Sequence, residues 1–226
     1  MPSSEFLSFV PIFSDLSGET LETIEKVGTR KTFAKNDVIL MEDEIGSALF
    51  VIVSGKVKVA RTSNDGREVI LTILSDSDFF GEMAILDGQT RSATVTALED
   101  SVLFIIQRND FLTLLKEYPE VSIALLQELT KRLRATDVKI KALSLKDAEG
   151  KVATVLLQIA DDLGKIKQGK VEIEKLPLQQ DLANMAGTSR ETISRTLHSF
   201  AKKGLIELDS SKLRILDYEK FKELFS

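Results

Sequence analysis

Residues 179–195 read QQDLANMAGTSRETISR, and the spacing inside this stretch decides how the C-terminal third folds. Ala183 stands four residues before Gly187, and Ile193 six after it. A small residue lets two short helices approach, and a glycine takes the left-handed turn between them. An apolar residue six further on then packs the second helix beneath the first. That is the arrangement of a helix-turn-helix. Its second helix carries Ser189, Arg190, Glu191 and Arg195 in its N-terminal half, where a helix lying in a DNA major groove meets base edges. Arginine reads guanine O6 and N7 with two hydrogen bonds, and glutamate accepts from the cytosine amino group. Glu191, three residues after Thr188, equally fits a capping box, which is a purely structural role.

The flanking segments extend the pattern. Leu178–Ala186 and Ser189–Lys203 read as the two helices, and Lys151–Ile166 as an amphipathic helix before them. Leu205, Ile206, Leu213 and Ile215 alternate along Leu205–Leu216 on either side of Ser210-Ser211, which adds a strand–turn–strand wing. A last helix is expected near Tyr218–Phe225. Within Thr188–Gly204 there are four basic side chains, Arg190, Arg195, Lys202 and Lys203, against the single acid Glu191. The whole chain of 226 residues carries a net charge of −5. Residues 1–145 hold 16 basic and 22 acidic residues, and residues 146–226 hold 14 and 13. The total argues against a protein coating nucleic acid along its length; the local stripe suits a phosphate interface.

Upstream of a composition shift at Ser144–Gly150, Pro119 opens a long helix that runs to about Leu145. Leu126, Leu129, Leu133, Thr136, Ile140 and Leu143 follow one another at heptad spacing, with Glu128, Lys131, Arg132, Arg134, Lys139 and Lys141 off the seam. Such a seam either packs on the chain's own N-terminal domain or, as its strict a/d character favours, joins two copies in a parallel homodimer. Thr136, followed by Asp137, is the polar layer.

From Lys31 to Ile106 the period is two. Val38–Met41, Ala48–Val53, Lys56–Arg61, Glu68–Leu74, Ser92–Ala97 and Val102–Ile106 are short runs rich in Val, Ile and Phe, separated by turn signals such as Ser54-Gly55 and Asn64-Asp65-Gly66. They read as an antiparallel sandwich or roll. Short helices precede it, Thr20–Lys26 most clearly, and Asn109 can cap another that runs to about Lys116. Within the roll, residues 79–95 read FFGEMAILDGQTRSATV. Gly81 admits close backbone approach at the start of one helical turn, whose free N–H groups form an anion site. Arg91 and Ser92, entering a strand, offer a guanidinium and a hydroxyl to the same phosphate. Glu82 beside them repels an anion unless it accepts from sugar hydroxyls, so the constellation suits a ribose phosphate better than inorganic phosphate.

Composition narrows the classes further. Cysteine is absent, which removes disulfides, thiolate metal sites, iron–sulfur clusters and cysteine nucleophiles. His198 is the lone histidine, leaving almost nothing for zinc, haem or histidine-based acid–base catalysis. Apolar runs fall well short of the ~18 residues of a membrane span, and the start MPSSEFLSF does not read as a signal peptide. A cytoplasmic protein without metal or prosthetic group is expected, and residues 146–226 contain no catalytic constellation.

Two stretches carry a family resemblance. FGEMAILDGQTRSATV (residues 80–95) resembles the phosphate-binding cassette of cyclic-nucleotide-binding domains. GTSRETISRTL (residues 187–197) resembles the recognition helix of the bacterial cyclic AMP receptor protein family, within the wider group that includes the fumarate–nitrate regulators. The likeness spans nearly the whole chain. It implies an α+β fold: a jelly-roll-like antiparallel β-roll that binds a cyclic nucleotide over residues 1–117, a dimerisation helix and hinge over 118–145, and a winged helix-turn-helix over 146–226. By the same resemblance Gly81, Glu82 and the adjoining Met83 hold ribose and phosphate, and Arg91 and Ser92 hold the phosphate. Val59 and Leu71 line the purine pocket, and Thr136 and Asp137 reach the purine across the dimer interface. Asp137 stands where the best-known member carries serine. Arg190, Glu191 and Arg195 match a base-reading triad for GTGA-like half-sites, and RNA polymerase is an implied partner. The implied function is transcription regulation by a homodimer responding to cyclic AMP in preference to cyclic GMP; a same-fold regulator without this ligand is the alternative. Lack of cysteine and of a histidine in the roll argues against iron–sulfur and histidine-ligated haem sensors.

Overall fold

The computed structural model describes residues 5–167, 169–209 and 211–225, and these divide between two compact units: residues 1–67 with 71–134, and residues 68–70 with 135–226. Elements are numbered in chain order. In the first unit, β1 (Thr29–Phe33), β8 (Ser101–Gln107), β3 (Ala48–Ser54) and β6 (Phe79–Phe80) form one antiparallel sheet, in that order. A second sheet has the order β2 (Val38–Leu40), β7 (Thr94–Ala97), β4 (Val57–Thr62), β5 (Glu68–Leu74). The expected roll is present.

The apolar run of β3 does not alternate because both of its faces are covered. Ala48, Phe50 and Ile52 point between the sheets, toward Val57, Val95 and Leu103. Leu49 and Val51 point outward beneath the helices, with Phe104 and Ile106 of β8. Successive strand side chains face opposite ways, so a strand buried twice needs an unbroken apolar stretch. The covering helices are α1 (Gly18–Val27), α3 (Arg108–Glu117) and the first turns of α4 (Pro119–Leu145). Ser17 caps α1 by accepting from the Thr20 N–H at 3.3 Å.

Along α4 the two readings of the seam divide the helix surface. Val121 and Leu125 are buried in the roll's helix-side core, and the seam residue Leu129 packs on it. Leu126, Leu133 and Ile140, seven apart, stay 65%, 63% and 58% exposed.

The second unit packs α5 (Ala148–Leu163), α6 (Gln179–Ala186), α7 (Arg190–Lys202) and α8 (Tyr218–Phe225) over a sheet of order β11 (Ile206–Asp209), β12 (Lys212–Ile215), β10 (Lys170–Ile173), β9 (Lys165–Lys167). Asp147 caps α5, its carboxylate accepting from the Gly150 N–H at 2.8 Å. The amphipathic helix expected to reach Ile166 instead stops at Leu163. Gly164 ends it, and the chain turns into β9, which pairs with β10. Both strands escape the sequence reading because they are only three and four residues long, β9 with a single apolar residue and β10 with two. Ser210 of the expected wing turn lies outside the described residues, while the strands flanking it are as expected.

Two local boundaries also differ from expectation. Gln107, not Asn109, is the N-cap of α3. Arg91 and Ser92 lie before β7 rather than in it. Arg91 is nonetheless tied to the neighbouring loop by a pair of backbone hydrogen bonds: its N–H donates to the Glu44 carbonyl at 2.8 Å and its carbonyl accepts from the Asp43 N–H at 3.0 Å.

Candidate functional site

The roll's candidate site is built on one left-handed turn. Gly81 has φ 88° and ψ 4° and opens α2 (Glu82–Asp87). A Cβ there would fall 2.8 Å from Arg91 Nη1 and 3.0 Å from the Ala48 carbonyl oxygen, so glycine is required by conformation and by space. Arg91 is only 4% exposed. Its Nη1 donates to the Gly81 carbonyl at 2.7 Å and its Nη2 to the Ala48 carbonyl at 2.9 Å. Its Nε, also buried, has no hydrogen-bond acceptor among the described residues.

These contacts leave a full positive charge beside neutral acceptors. Burial pushes the Arg91 guanidinium below its ordinary pKa, and the more distant carboxylates Glu82 and Glu44 oppose that only in part. A buried cation without a hydrogen-bonded counter-charge is costly. A phosphate oxygen is the kind of group that relieves the cost, so the residues present fit a phosphate-bearing ligand.

Glu82 is 5% exposed and is compensated within the chain. Its Oε1 lies 3.3 Å from Nη1 of Arg132, on α4. Arg132 also donates from Nη2 to the Phe79 carbonyl at 2.9 Å, and its guanidinium sits 4.4 Å over the Phe79 ring. Sequence reasoning left Arg132 among the charges off the seam. The available signal was its position four residues before Thr136, on the same helical face.

The remaining candidates are less enclosed. Met83 is exposed, and its sulfur accepts from the Ser92 hydroxyl at 3.6 Å. Val59 pairs with Val95 across β4 and β7 and packs against the core between the sheets. Leu71, on β5, is partly exposed. The first unit thus holds Val59, Leu71, Gly81, Glu82, Met83, Arg91 and Ser92. Thr136 and Asp137 lie on α4 beyond Arg134, where the second unit's residues begin, and both are exposed.

In the second unit, Gly187 closes α6 with φ 58° and ψ 43°, and Ala183 and Ile193 are fully buried. Ser189 is the N-cap of α7, its hydroxyl accepting from the Thr192 N–H at 3.2 Å. With Ser189 as cap, the third helical residue is Thr192. Glu191 is therefore one position early for a capping box. Its own backbone N–H and the Ser189 hydroxyl hold the Glu191 carboxyl below the usual carboxylate range. Arg190, Glu191 and Arg195 are all exposed, with Arg195 Nη2 donating to the Thr192 hydroxyl at 3.3 Å. Buried Ile193, Leu197 and Phe200 fix the opposite face of α7 in the core. Lys203 caps the helix and is ion-paired with Glu149, whereas Lys202 is exposed.

Comparison with known proteins assigns a family to each of the two parts of the chain. Residues 30–118 match the cyclic nucleotide-binding domain family, and residues 150–224 match the Crp-like helix-turn-helix domain family. The chain is 33% identical over 216 residues to a CRP-like cAMP-activated global transcriptional regulator of Mycobacterium tuberculosis, covering 96% of each chain. It is 33% identical to the cyclic AMP receptor protein of Thermus thermophilus, over 95% of this chain and 96% of that one. The crystal structure of the Thermus thermophilus catabolite activator protein, 32% identical, covers 95% of this chain and 98% of its own with a TM-score of 0.55. With a nucleotide-binding roll, a long helix and a winged helix-turn-helix in one chain, and relatives of this kind along its whole length, the protein belongs to the CRP/FNR family of cyclic-nucleotide-binding transcription regulators.

Proposed function

We propose that the protein is a homodimeric regulator switched by cyclic AMP, reading a palindrome with GTGA-like half-sites. The observation that carries this reading is the buried Arg91 guanidinium, whose Nε has no acceptor among the described residues, beneath a Gly81 turn that also opens onto the buried Glu82. Arg91 and Ser92 bind the cyclic phosphate, and Gly81 and Met83 shape the turn around it. Glu82 accepts from the ribose hydroxyl. Val59 and Leu71 cover the purine, and Thr136 and Asp137 reach it across the dimer interface from the partner's helix. An effector of this shape carries both an anion for Arg91 and a hydroxyl for Glu82. Two relatives are named for cyclic AMP, which favours that nucleotide over cyclic GMP.

Three exposed apolar residues of α4 spaced seven apart, Leu126, Leu133 and Ile140, form the dimer seam within residues 118–145. Residues 1–117 bind the nucleotide and residues 146–226 bind DNA. Ser189 positions α7 in the major groove, where Arg190, Glu191 and Arg195 meet bases. A ligand touching both the roll and the partner's dimer helix favours one setting of the helix pair, and the hinge near Ser144–Asp147 passes that setting on. Shifting a population from 1:99 to 99:1 takes ~5.5 kcal/mol of differential binding. Several charge-assisted hydrogen bonds of ~1.5–3 kcal/mol each supply that amount. RNA polymerase is the downstream partner and the cytoplasm the site of action.

A ligand-independent regulator of the same fold is the second reading, favoured by the internal pairing of Glu82 with Arg132. Calorimetry with cyclic AMP and cyclic GMP separates the two. Micromolar or tighter binding of cyclic AMP supports the first, and no heat with either nucleotide supports the second.

A further inference from the structure

Arg132 is held by three different parts of its own unit. Besides Glu82 and Phe79, its Nε lies 3.7 Å from Oε1 of Glu128, one turn earlier on α4. Glu128 is itself largely buried, and its Oε2 is 3.3 Å from Lys131 Nζ. Asp78, next to Phe79, adds a partly buried carboxylate, which desolvation holds above its ordinary pKa. A guanidinium is a rigid planar fork, so fixing Nε fixes where both Nη atoms point. With Nε drawn toward the Glu128 carboxylate at ion-pair distance, Nη1 faces Glu82 and Nη2 faces the Phe79 carbonyl. Glu128 and Arg132 form an i, i+4 pair on α4, whereas Glu82 opens α2, so the chain of contacts runs from the long helix into the nucleotide turn.

We infer that Glu128 is a positioning residue for nucleotide recognition: acting through Arg132, it aims the Glu82 carboxylate at the ribose 2′-hydroxyl. The inference rests on the cyclic-nucleotide reading above. A helix-surface ion pair with no such role would support α4 alone and would be indifferent to which sugar is bound.

The test uses the full chain and two ligands, cyclic AMP and its 2′-deoxy analogue, which lacks the hydroxyl assigned to Glu82. In calorimetry the unaltered protein binds cyclic AMP more tightly than the analogue. Glu128→Gln weakens cyclic AMP by about three- to tenfold, a partial loss of one charge-assisted hydrogen bond that is misdirected rather than removed, and leaves the analogue within about twofold. Glu128→Asp, which keeps the charge, restores part of the preference. Glu82→Gln and the double variant Glu82→Gln/Glu128→Gln bind cyclic AMP alike. Because each variant is judged by its ratio between two ligands, a general loss of folding does not imitate the effect. Unchanged affinities in Glu128→Gln, or equal weakening of both ligands, overturns the positioning role while leaving the cyclic-nucleotide reading intact. Failure of the unaltered protein to bind either nucleotide overturns both.

Discussion

Replacing Arg91 by alanine has opposite weights in the free and the liganded protein. Without ligand the side chain contributes two hydrogen bonds to carbonyls, at 2.7 and 2.9 Å, worth about 1 kcal/mol each. Against these stands the cost of burying a charge whose Nε has no acceptor among the described residues. The two nearly offset, so Arg91→Ala should change the stability of the free protein by no more than about 2 kcal/mol. With a cyclic phosphate in place the guanidinium gains a charged acceptor worth about 1.5–3 kcal/mol, which is roughly ten- to hundredfold in affinity. Calorimetry reads that loss directly. Thermal melts give an independent measure: ligand at a hundred times Kd stabilises the unaltered protein by about 2.7 kcal/mol. The same concentration should give the variant about 1.4 kcal/mol or less. Affinity within twofold of the unaltered protein would refute the assignment. So would a loss of several kcal/mol in the free protein, which would make Arg91 a core residue first.

Further substitutions probe the other surfaces. Arg190→Ala should cost about 1–3 kcal/mol on the preferred site and relax the choice at one guanine per half-site, whereas Lys202→Ala should weaken all sequences alike and flatten the salt dependence by up to about 0.9 in log–log slope; titrations on the palindrome and single-base variants at several salt concentrations distinguish them. Leu133→Lys should dissociate the dimer in sedimentation at micromolar concentration, because each seam leucine buried in the pair contributes about 1.5–3 kcal/mol and a lysine facing its own copy adds repulsion. Thr136→Leu should keep or tighten the dimer and weaken cyclic AMP; monomers with intact affinity would count against its place in the ligand layer. Gly81→Ala should depress cyclic AMP affinity as severely as Arg91→Ala, since its Cβ would fall 2.8 Å from the guanidinium; unchanged binding would remove the turn from the site.

The parts that could be read from the sequence were those whose determinants are close together along the chain. Ala183, Gly187 and Ile193 span eleven residues, and their spacing alone sets the two helices that the structure contains. The roll's central strands were equally visible, because β3 is covered on both faces and so carries an unbroken apolar run. Strand β1, Thr29–Phe33, was missed because four of its five residues are exposed at the edge of its sheet. Arg132 was missed for a different reason: its partners Glu82 and Phe79 lie 50 and 53 residues away, and its local spacing to Glu128 and Thr136 is that of any solvated helix face. The orphaned Nε of Arg91 likewise depends on carbonyls of Gly81 and Ala48, the latter 43 residues distant, which only the fold brings together.

The most direct test is DNA binding by the full chain to a palindromic probe with GTGA half-sites, titrated with and without saturating cyclic AMP at fixed salt. Coupling between effector and DNA sites is typically 1–3 kcal/mol, so cyclic AMP should tighten binding by about fivefold or more, and a scrambled probe should show no such gain. Equal affinity for the palindrome in the presence and absence of cyclic AMP would contradict a regulator switched by this nucleotide.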